Sequence, residues 1–492
     1  MTNPSLPPVN QWKTLDKDLA RISQLENATT VIGRPAVAIG ISFVFIVLCA
    51  LGAFTLAGHG SGNLTIVAAA VFGAYMALNI GANDVANNMG PAVGANALTM
   101  GGALLLATIF ETAGALIAGG DVVSTISGGI VSPAVIAEPH VFVWAMMAAL
   151  ISSALWLNLA TWFGAPVSTT HAIVGGVVGA GIVAGGMGAV EWGKLGQIAA
   201  SWIISPLLGG VFAALFLAFI KSNINDVADK ITAARRWVPV LIGVMAGTFA
   251  TYLALKGLKK VVEIGLGEAV LIGLIVGIAC AFVMRPIVRR QSEGMENRKK
   301  SLKKLFAVPL VMSAALLSFA HGANDVANAV GPLAAIVHAV QDGGTAAKVE
   351  IPYWVMLIGA FGISFGLLLF GPKLIRMVGQ EITKLNPMRA YCVSLSAAIT
   401  VIVASWLGLP VSSTHIAVGG VFGVGFYREW HAERRARQLN IEKGTPVPLE
   451  ERRRRKLVRR AHMMSIGAAW VVTVPLTAAL SALIFMLLSR FA

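Results

Sequence analysis

Charge is scarce in this chain. Only 12% of its 492 residues are Asp, Glu, Lys or Arg, 56% are hydrophobic, and the mean hydropathy is +0.76. No soluble domain of this length hides so much apolar surface, so a soluble enzyme is excluded and a polytopic membrane protein remains. Cysteine is nearly absent. Cys49, Cys280 and Cys392 each sit in an apolar run without paired spacing, which excludes a disulfide framework and leaves small core residues. The start lacks a short apolar segment followed by a small-residue cleavage site. Residues 1–35 are polar and Pro-containing, and they read as a cytosolic tail rather than a signal peptide. No Walker motif, catalytic triad or metal-ligand cluster occurs. ATP-driven transport and catalysis are unsupported, and no cofactor or resident metal is expected.

Apolar runs are what the chain has in abundance. Clear ones cover 36–57, 98–118, 140–162, 197–220, 237–255, 269–284, 353–371 and 464–489, and shorter or Gly-rich ones cover 64–80, 170–186, 305–320, 391–408 and 412–427. Most are long enough to cross a hydrocarbon core of roughly 30 Å. The expected fold is all-α and polytopic, with about 12 transmembrane helices. The net charge of +15 first points to nucleic acid, but its distribution does not. Residues 285–304 hold 8 Lys or Arg against 2 acids, and 428–460 hold 12 against 5, whereas 119–139 hold no basic residue. Basic loops stay in the cytoplasm. The run "RRRRKLVRR" (452–460) is a topology or anionic-lipid signal, and no nucleic acid is expected as partner.

Two cassettes occur twice. "GANDVANNMGPAVGA" at Gly81 returns as "GANDVANAVGPLAAI" at Gly322, and "ATWFGAPVSTTHAIVGGVVGAG" at 160 returns as "ASWLGLPVSSTHIAVGGVFGVG" at 404. Their offsets are 241 and 244 residues. "WIISP" at Trp202 is loosely echoed by "WVVTVP" at Trp470. Counting crossings from the basic loops, segment 305–320 runs outward and puts Asp325 near the outer side. Segment 64–80 runs inward and puts Asp84 near the cytoplasmic side. The halves then have inverted topology, with broken or re-entrant helices, as secondary transporters do. The expected division is a cytosolic N-terminal tail (1–35), a first half (36–220), linker helices with a basic cytosolic loop (221–304), and a second half (305–490) carrying the 428–460 loop. The N-terminus is placed in the cytoplasm and the chain in the plasma membrane, or the bacterial inner membrane.

Asn83, Asp84, Asn87 and their mates Asn324, Asp325, Asn328 offer carboxylate and amide oxygens, hard ligands for Na⁺ or another hard cation. The flanking Gly and Ala permit a helix break that frees carbonyls for the same ion. A lone copy would fit a local helix cap. Duplicated on apolar runs, ionisable residues point to function. Ser168, Thr169, Thr170 and Ser412, Ser413, Thr414 each follow a Pro-Val and precede a Gly-rich apolar helix. They fit helix capping, and equally an anion held at two helix N-termini; chemistry alone does not separate phosphate from sulfate. His171 and His415 read as structural hydrogen-bonders. Glu111, the single carboxylate of the 98–118 span, is read as a coupling-ion or proton site rather than a neutral buried group. The glycines of "GGVVGAG" and "GGVFGVG" read as helix-packing positions.

Both "GANDVAN" cassettes, both "PVS[ST]TH" cassettes, "IFETAGAL" and "AAITVIVASWLGLPVSSTH" resemble the PiT family of inorganic phosphate transporters over most of 64–490. The resemblance implies a cation/phosphate symporter of two inverted repeats, commonly a homodimer among membrane lipid. Cation coupling falls on Asn83, Asp84, Asn87, Asn324, Asp325 and Asn328, and phosphate binding on Ser168, Thr169, Thr170, Ser412, Ser413 and Thr414. Eukaryote-like members carry a second acid where Ser394 aligns, and its absence here touches the stoichiometry. The proton-coupled bacterial branch shows a His-Asp-Thr variant; Asn-Asp-Val stands here twice, which favours Na⁺ over H⁺. The competing readings are a proton-coupled phosphate or metal-phosphate symporter, a sulfate permease, and, in another class, an anion channel or a scaffold without turnover.

Overall fold

The computed structural model describes residues 34–58, 62–132, 135–136, 138–163, 167–257, 264–342, 350–377, 385–443 and 460–490. They fold into helices α1 (Arg34–Leu56), α2 (Asn63–Gly94), α3 (Met100–Ala118), α4 (Gly120–Gly128), α5 (Pro139–Phe163), α6 (Thr169–Gly185), α7 (Trp192–Ile220), α8 (Lys230–Lys256) and α9 (Leu266–Gln291). Next come α10 (Lys299–Leu305), α11 (Ala307–Asp325), α12 (Ala327–Asp342), α13 (Tyr353–Met377), α14 (Pro387–Trp406), α15 (Ser413–Lys443) and α16 (Arg460–Leu488). Among the described residues, 11 helical spans are long and apolar enough to cross a membrane. Lipid offers no partner for backbone N–H and C=O groups, so segments this apolar must satisfy them internally as helices. Polar residues mark their ends. Thr99 accepts from the Gly102 N–H, Asp229 from Ile231 and Thr232, and Asn386 from Arg389 with Pro387 in the first turn, all in the manner of N-caps.

The helices sort by burial. In the apolar window of α14, 83% of residues are buried, and in that of α11–α12, 78%, against 17% in α9 and 22% in α1. α14, α11 and α12 form the interior. α1 and α9 are peripheral and turn Val37, Phe43 and Leu48, and Leu271, Ile275 and Phe282, outward as a lipid-facing surface.

Two structural repeats, α2–α7 and α11–α16, interlock. Gly81 on α2 lies so close to the Ile363 carbonyl of α13 that a Cβ would collide with it, and Gly322 on α11 stands the same way against the Glu111 carbonyl of α3. One turn along, Gly366 of α13 meets the Leu78 carbonyl while Gly114 of α3 meets the Phe319 carbonyl. A second symmetric set docks the Gly-rich helices: Gly175 and Gly179 of α6 against Val474 and Ala478 of α16, and Gly419 and Gly423 of α15 against Pro206 and Gly210 of α7. Small residues permit this backbone approach where apolar burial supplies no drive between helices in lipid. Each repeat thus packs its glycines on the other.

The repeats are inverted. Gly94, Ala95 and Asn96 at the end of α2 line one cavity with Ala307 at the start of α11. At the opposite end, the Gln341 amide of α12 donates to the Ala57 carbonyl just ahead of α2, at 3.2 Å. α2 and α11–α12 therefore run antiparallel. The junctions of α5 with α6 and of α14 with α15 lie inside the bundle, where Thr161 and Leu409 meet Asn83 of α2 and Asn324 of α11.

Three expectations change. α2 continues through the first cassette to Gly94, and α11 and α12 form one 35-residue span with a single-residue interruption at Val326. Segments 64–80 and 305–320 are thus too short, and Asp84 and Asp325 lie mid-span rather than near opposite faces. The Ala, Gly and Asn of the first cassette do not end its helix, because neighbouring helices bond the polar side chains. α15 also runs beyond 427 to Lys443, since Glu, Ala, Arg and Gln are strong helix formers, so the loop expected over 428–460 begins as helix. Residues 1–33 and 444–459, with most of the tail and of the Arg-rich run, lie outside the described residues.

Candidate cation and anion site

The four cassettes converge. Asp84 is 1% exposed and its Oδ2 accepts from the Thr169 hydroxyl at 2.9 Å, while Oδ1 accepts from the Thr414 hydroxyl at 3.3 Å. Asp325, also 1% exposed, accepts from Ser413 at 3.4 Å. The Asn87 amide donates to Thr414 at 2.7 Å, and its mate Asn328 donates to Thr169 and Thr170 at 3.3 and 3.4 Å. Helix α2 of one repeat thereby holds the start of α15 of the other, and α12 holds the start of α6. Asn83 and Asn324 point the other way, towards the ends of α5 and α14. The first donates to Thr161 at 3.1 Å, and the second to Ser405 at 2.9 Å and the Leu409 carbonyl at 3.1 Å.

The two hydroxyl triplets divide their work by position. Ser168 and Ser412 accept from the N–H groups of His171 and His415, at 3.1 and 3.3 Å, and so cap α6 and α15. Thr169 and Ser413 bond the carboxylates. Thr170 crosses to the Val411 carbonyl at 3.0 Å, and Thr414 crosses to Asp84. The two helix starts meet closely: the His171 and His415 rings lie edge to face with centroids 4.4 Å apart. Their N–H groups and positive dipole ends thus converge from opposite repeats, an arrangement that suits an anion.

His321, one residue before the second cassette, is the residue that sequence reasoning missed. It is fully buried, with Nε2 2.9 Å from Asp325 and 3.6 Å from Asp84, and Nδ1 3.3 Å from Glu111. Glu111 is tied in through it, and also accepts from the Asn88 amide at 2.9 Å. The signal was a break in the repeat: the matching position ahead of the first cassette is Ile80. Asp84, His321 and Asp325 offer ligand atoms all within 4.8 Å of one another.

Several acceptors in this cluster lack donors. Oδ1 of Asn83, Asn88, Asp325 and Asn328 is buried without a hydrogen-bond partner among the described residues. A buried acceptor left so is costly in protein alone, and the partner it suits is a cation. No Lys or Arg hydrogen-bonds to any of these side chains among the described residues.

Buried carboxylates, amides and hydroxyls at the interface of inverted helical repeats fit a membrane transporter, not an enzyme. The chain belongs to the phosphate transporter family, whose model matches residues 80–481. A Helicobacter pylori protein titled "Putative phosphate permease" is 43% identical, across 96% of this chain and 98% of its own length. The chloroplastic inorganic phosphate transporter 2-1 of Arabidopsis thaliana is 38% identical over 85% of this chain and 71% of that protein. A solved structure titled "The sodium-dependent phosphate transporter" matches with a TM-score of 0.78 and 34% identity, over 87% of this chain and all of that one.

Proposed function

We propose that the protein takes up inorganic phosphate in symport with Na⁺. The observation that carries this reading is the pairing of Asp84 and Asp325 with the hydroxyls of both triplets in one buried cluster. Phosphate is an anion, and three carboxylates (Asp84, Asp325 and Glu111) stand in or beside its pocket. Without cations the site would repel it. Cations held by Asp84, Asp325 and the orphaned amide oxygens cancel that charge and leave the helix N-termini and the Thr and Ser hydroxyls to bind phosphate oxygens. Coupling follows: the anion binds well only when the cations are present, and by linkage phosphate must tighten the cations by the same factor. The residues are closed off from solvent, so alternate opening on the two sides requires movement between the repeats. Glycine-mediated backbone contacts provide surfaces on which such movement can occur without bulky side chains to unlock.

The basic end of the bundle is placed in the cytoplasm by the positive-inside rule, with the N-terminus on the same side and the chain as a homodimer in the plasma or bacterial inner membrane. A second reading, proton coupling, is favoured by His321, which bridges the carboxylates of both repeats and is able to carry a proton between them. Labelled-phosphate uptake into proteoliposomes under imposed Na⁺ or proton gradients, with sulfate as competitor, separates these. Sodium symport requires uptake driven by the Na⁺ gradient at equal pH and undiminished by sulfate. Uptake indifferent to every cation gradient returns the protein to the channel class.

A further inference from the structure

At the end of the bundle where α2 and α7 finish and α11 and α14 begin, the structure holds a cavity of about 1190 Å³. It is lined by Lys221, Lys299, Lys303, Lys304, Arg389 and Arg428, and by no carboxylate among the described residues. Such a cavity differs from an ordinary positive-inside loop, where cations stand apart in water. Here cations from the ends of α7 and α10, from the first turn of α14 and from within α15 converge on one space. Arg389 and Arg428 are half-buried in its wall. Two carboxylates stand near these cations without lining the cavity: Asp226, near Lys221, lines an adjoining chamber with Arg434 and Arg435 that shares Asn225 and Lys299 with the cavity, and Glu429 lies near Arg428.

We propose that this cavity is a second anion site, distinct from the transport site, that binds a ligand carrying several phosphate groups. Charge and size both select this class. One orthophosphate brings at most two charges near neutral pH and, even with Asp226 near Lys221 and Glu429 near Arg428, leaves the six cations short of balance. The volume exceeds the roughly 300–1,000 Å³ of ordinary small-molecule pockets, far more than one phosphate fills. Arg supplies planar paired donors for phosphate oxygens, and Lys supplies mobile point charges around them. Soluble polyphosphates and the headgroups of multiply phosphorylated lipids share this chemistry.

The placement gives occupancy a consequence. Asn87 of the transport site is seven residues, about 10 Å of helix, from Gly94 in the cavity wall. A bound polyanion would tie α7, α10, α14 and α15 together beneath that end of α2, bridging both repeats. Because transport needs the repeats to move, occupancy slows uptake.

Calorimetric titration of the purified full-length protein with tripolyphosphate tests the binding without reference to transport or to the coupling ion. The intact protein should bind it, and the double variant Lys303→Gln/Lys304→Gln, which alters two exposed side chains, should bind at least about tenfold more weakly, since a hydrogen bond to a charged group is worth that much or more. Arg434→Gln/Arg435→Gln removes the same charge from the adjoining chamber and should leave affinity within about threefold, because neither side chain lines the cavity and exposed charges acting without direct contact contribute little. Tripolyphosphate enclosed on the basic side of proteoliposomes should lower the uptake of the intact protein by a larger fraction than that of the Lys303/Lys304 variant. Binding of vesicles containing cardiolipin, lost in that same variant, with none of tripolyphosphate, supports the site and makes a lipid headgroup its occupant. The proposal is overturned if neither probe binds, if orthophosphate displaces tripolyphosphate at equal concentration, or if both double variants weaken binding alike.

Discussion

At the residue scale, Asp84 and Asp325 occupy equivalent positions but not equivalent surroundings. Both Asp84 oxygens accept hydroxyl donors, whereas Asp325 has His321 and the Ser413 hydroxyl on one oxygen and no partner among the described residues on the other. Asp84→Asn and Asp325→Asn should each abolish most Na⁺-driven uptake while the protein still inserts, and the Na⁺ dependence of phosphate binding in each variant checks the assignment. Unchanged Na⁺ dependence in both would refute it. The two threonines differ as well. Thr414 bonds Asn87 and Asp84, so Thr414→Ala loses a charge-assisted contact and should weaken phosphate binding by roughly ten- to a hundredfold, about 1.5–3 kcal/mol. Thr170 donates to a backbone carbonyl, so Thr170→Ala should cost only about 1 kcal/mol, or roughly fivefold. Equilibrium binding at high and low Na⁺ distinguishes them, and equal losses would contradict this division of roles. His321→Gln keeps a polar side chain but removes the ring that joins Glu111 to Asp325. It should lower uptake driven by an imposed proton gradient and retain stimulation by Na⁺; proton-driven uptake that survives the substitution unchanged would exclude His321 as a proton carrier.

At the element scale, glycines decide where helices may touch. Gly322 stands against the Glu111 carbonyl, so Gly322→Ala must push α11 away from α3 in the helix pair that carries His321 and Glu111. Overpacking of this kind costs about 1–3 kcal/mol. Gly40 on α1 faces outward, and a methyl group added there would meet no atom within 4 Å. Gly40→Ala should therefore be neutral or slightly stabilising through helix propensity. Thermal unfolding of the two variants in detergent compares them directly, and equal midpoints would show that the α11–α3 contact yields without cost. Much at this scale was legible beforehand. The Gly-rich runs after each triplet read as packing positions, and α6 and α15 do pack on α16 and α7 through them. The course of α2 through its cassette was not legible. Helix propensity disfavours Asn and Gly, and only the Thr and Glu side chains brought up from α5, α15 and α3 make Asn83, Asn87 and Asn88 tolerable inside a helix.

At the scale of the whole molecule, orientation and inversion make a further prediction. Cysteines placed at exposed Glu293 and Gln438 should label from the cytoplasmic side of sealed vesicles, and those at Glu138 and Glu191 from the outside. Labelling of Glu293→Cys and Gln438→Cys from opposite faces would overturn the topology. Composition, basic-loop asymmetry and the doubled cassettes determined on their own that the chain is a membrane protein of two inverted halves with oxygen-rich polar cassettes, because hydropathy, charge and repetition are written along the chain. Only the tertiary structure decided that Thr414 reaches Asp84 across 330 positions, that the Ser of each triplet caps while its neighbours bond carboxylates, and that His321 joins Glu111 to both aspartates. Those pairings depend on how closely glycine lets antiparallel helices approach, a distance that no linear pattern encodes.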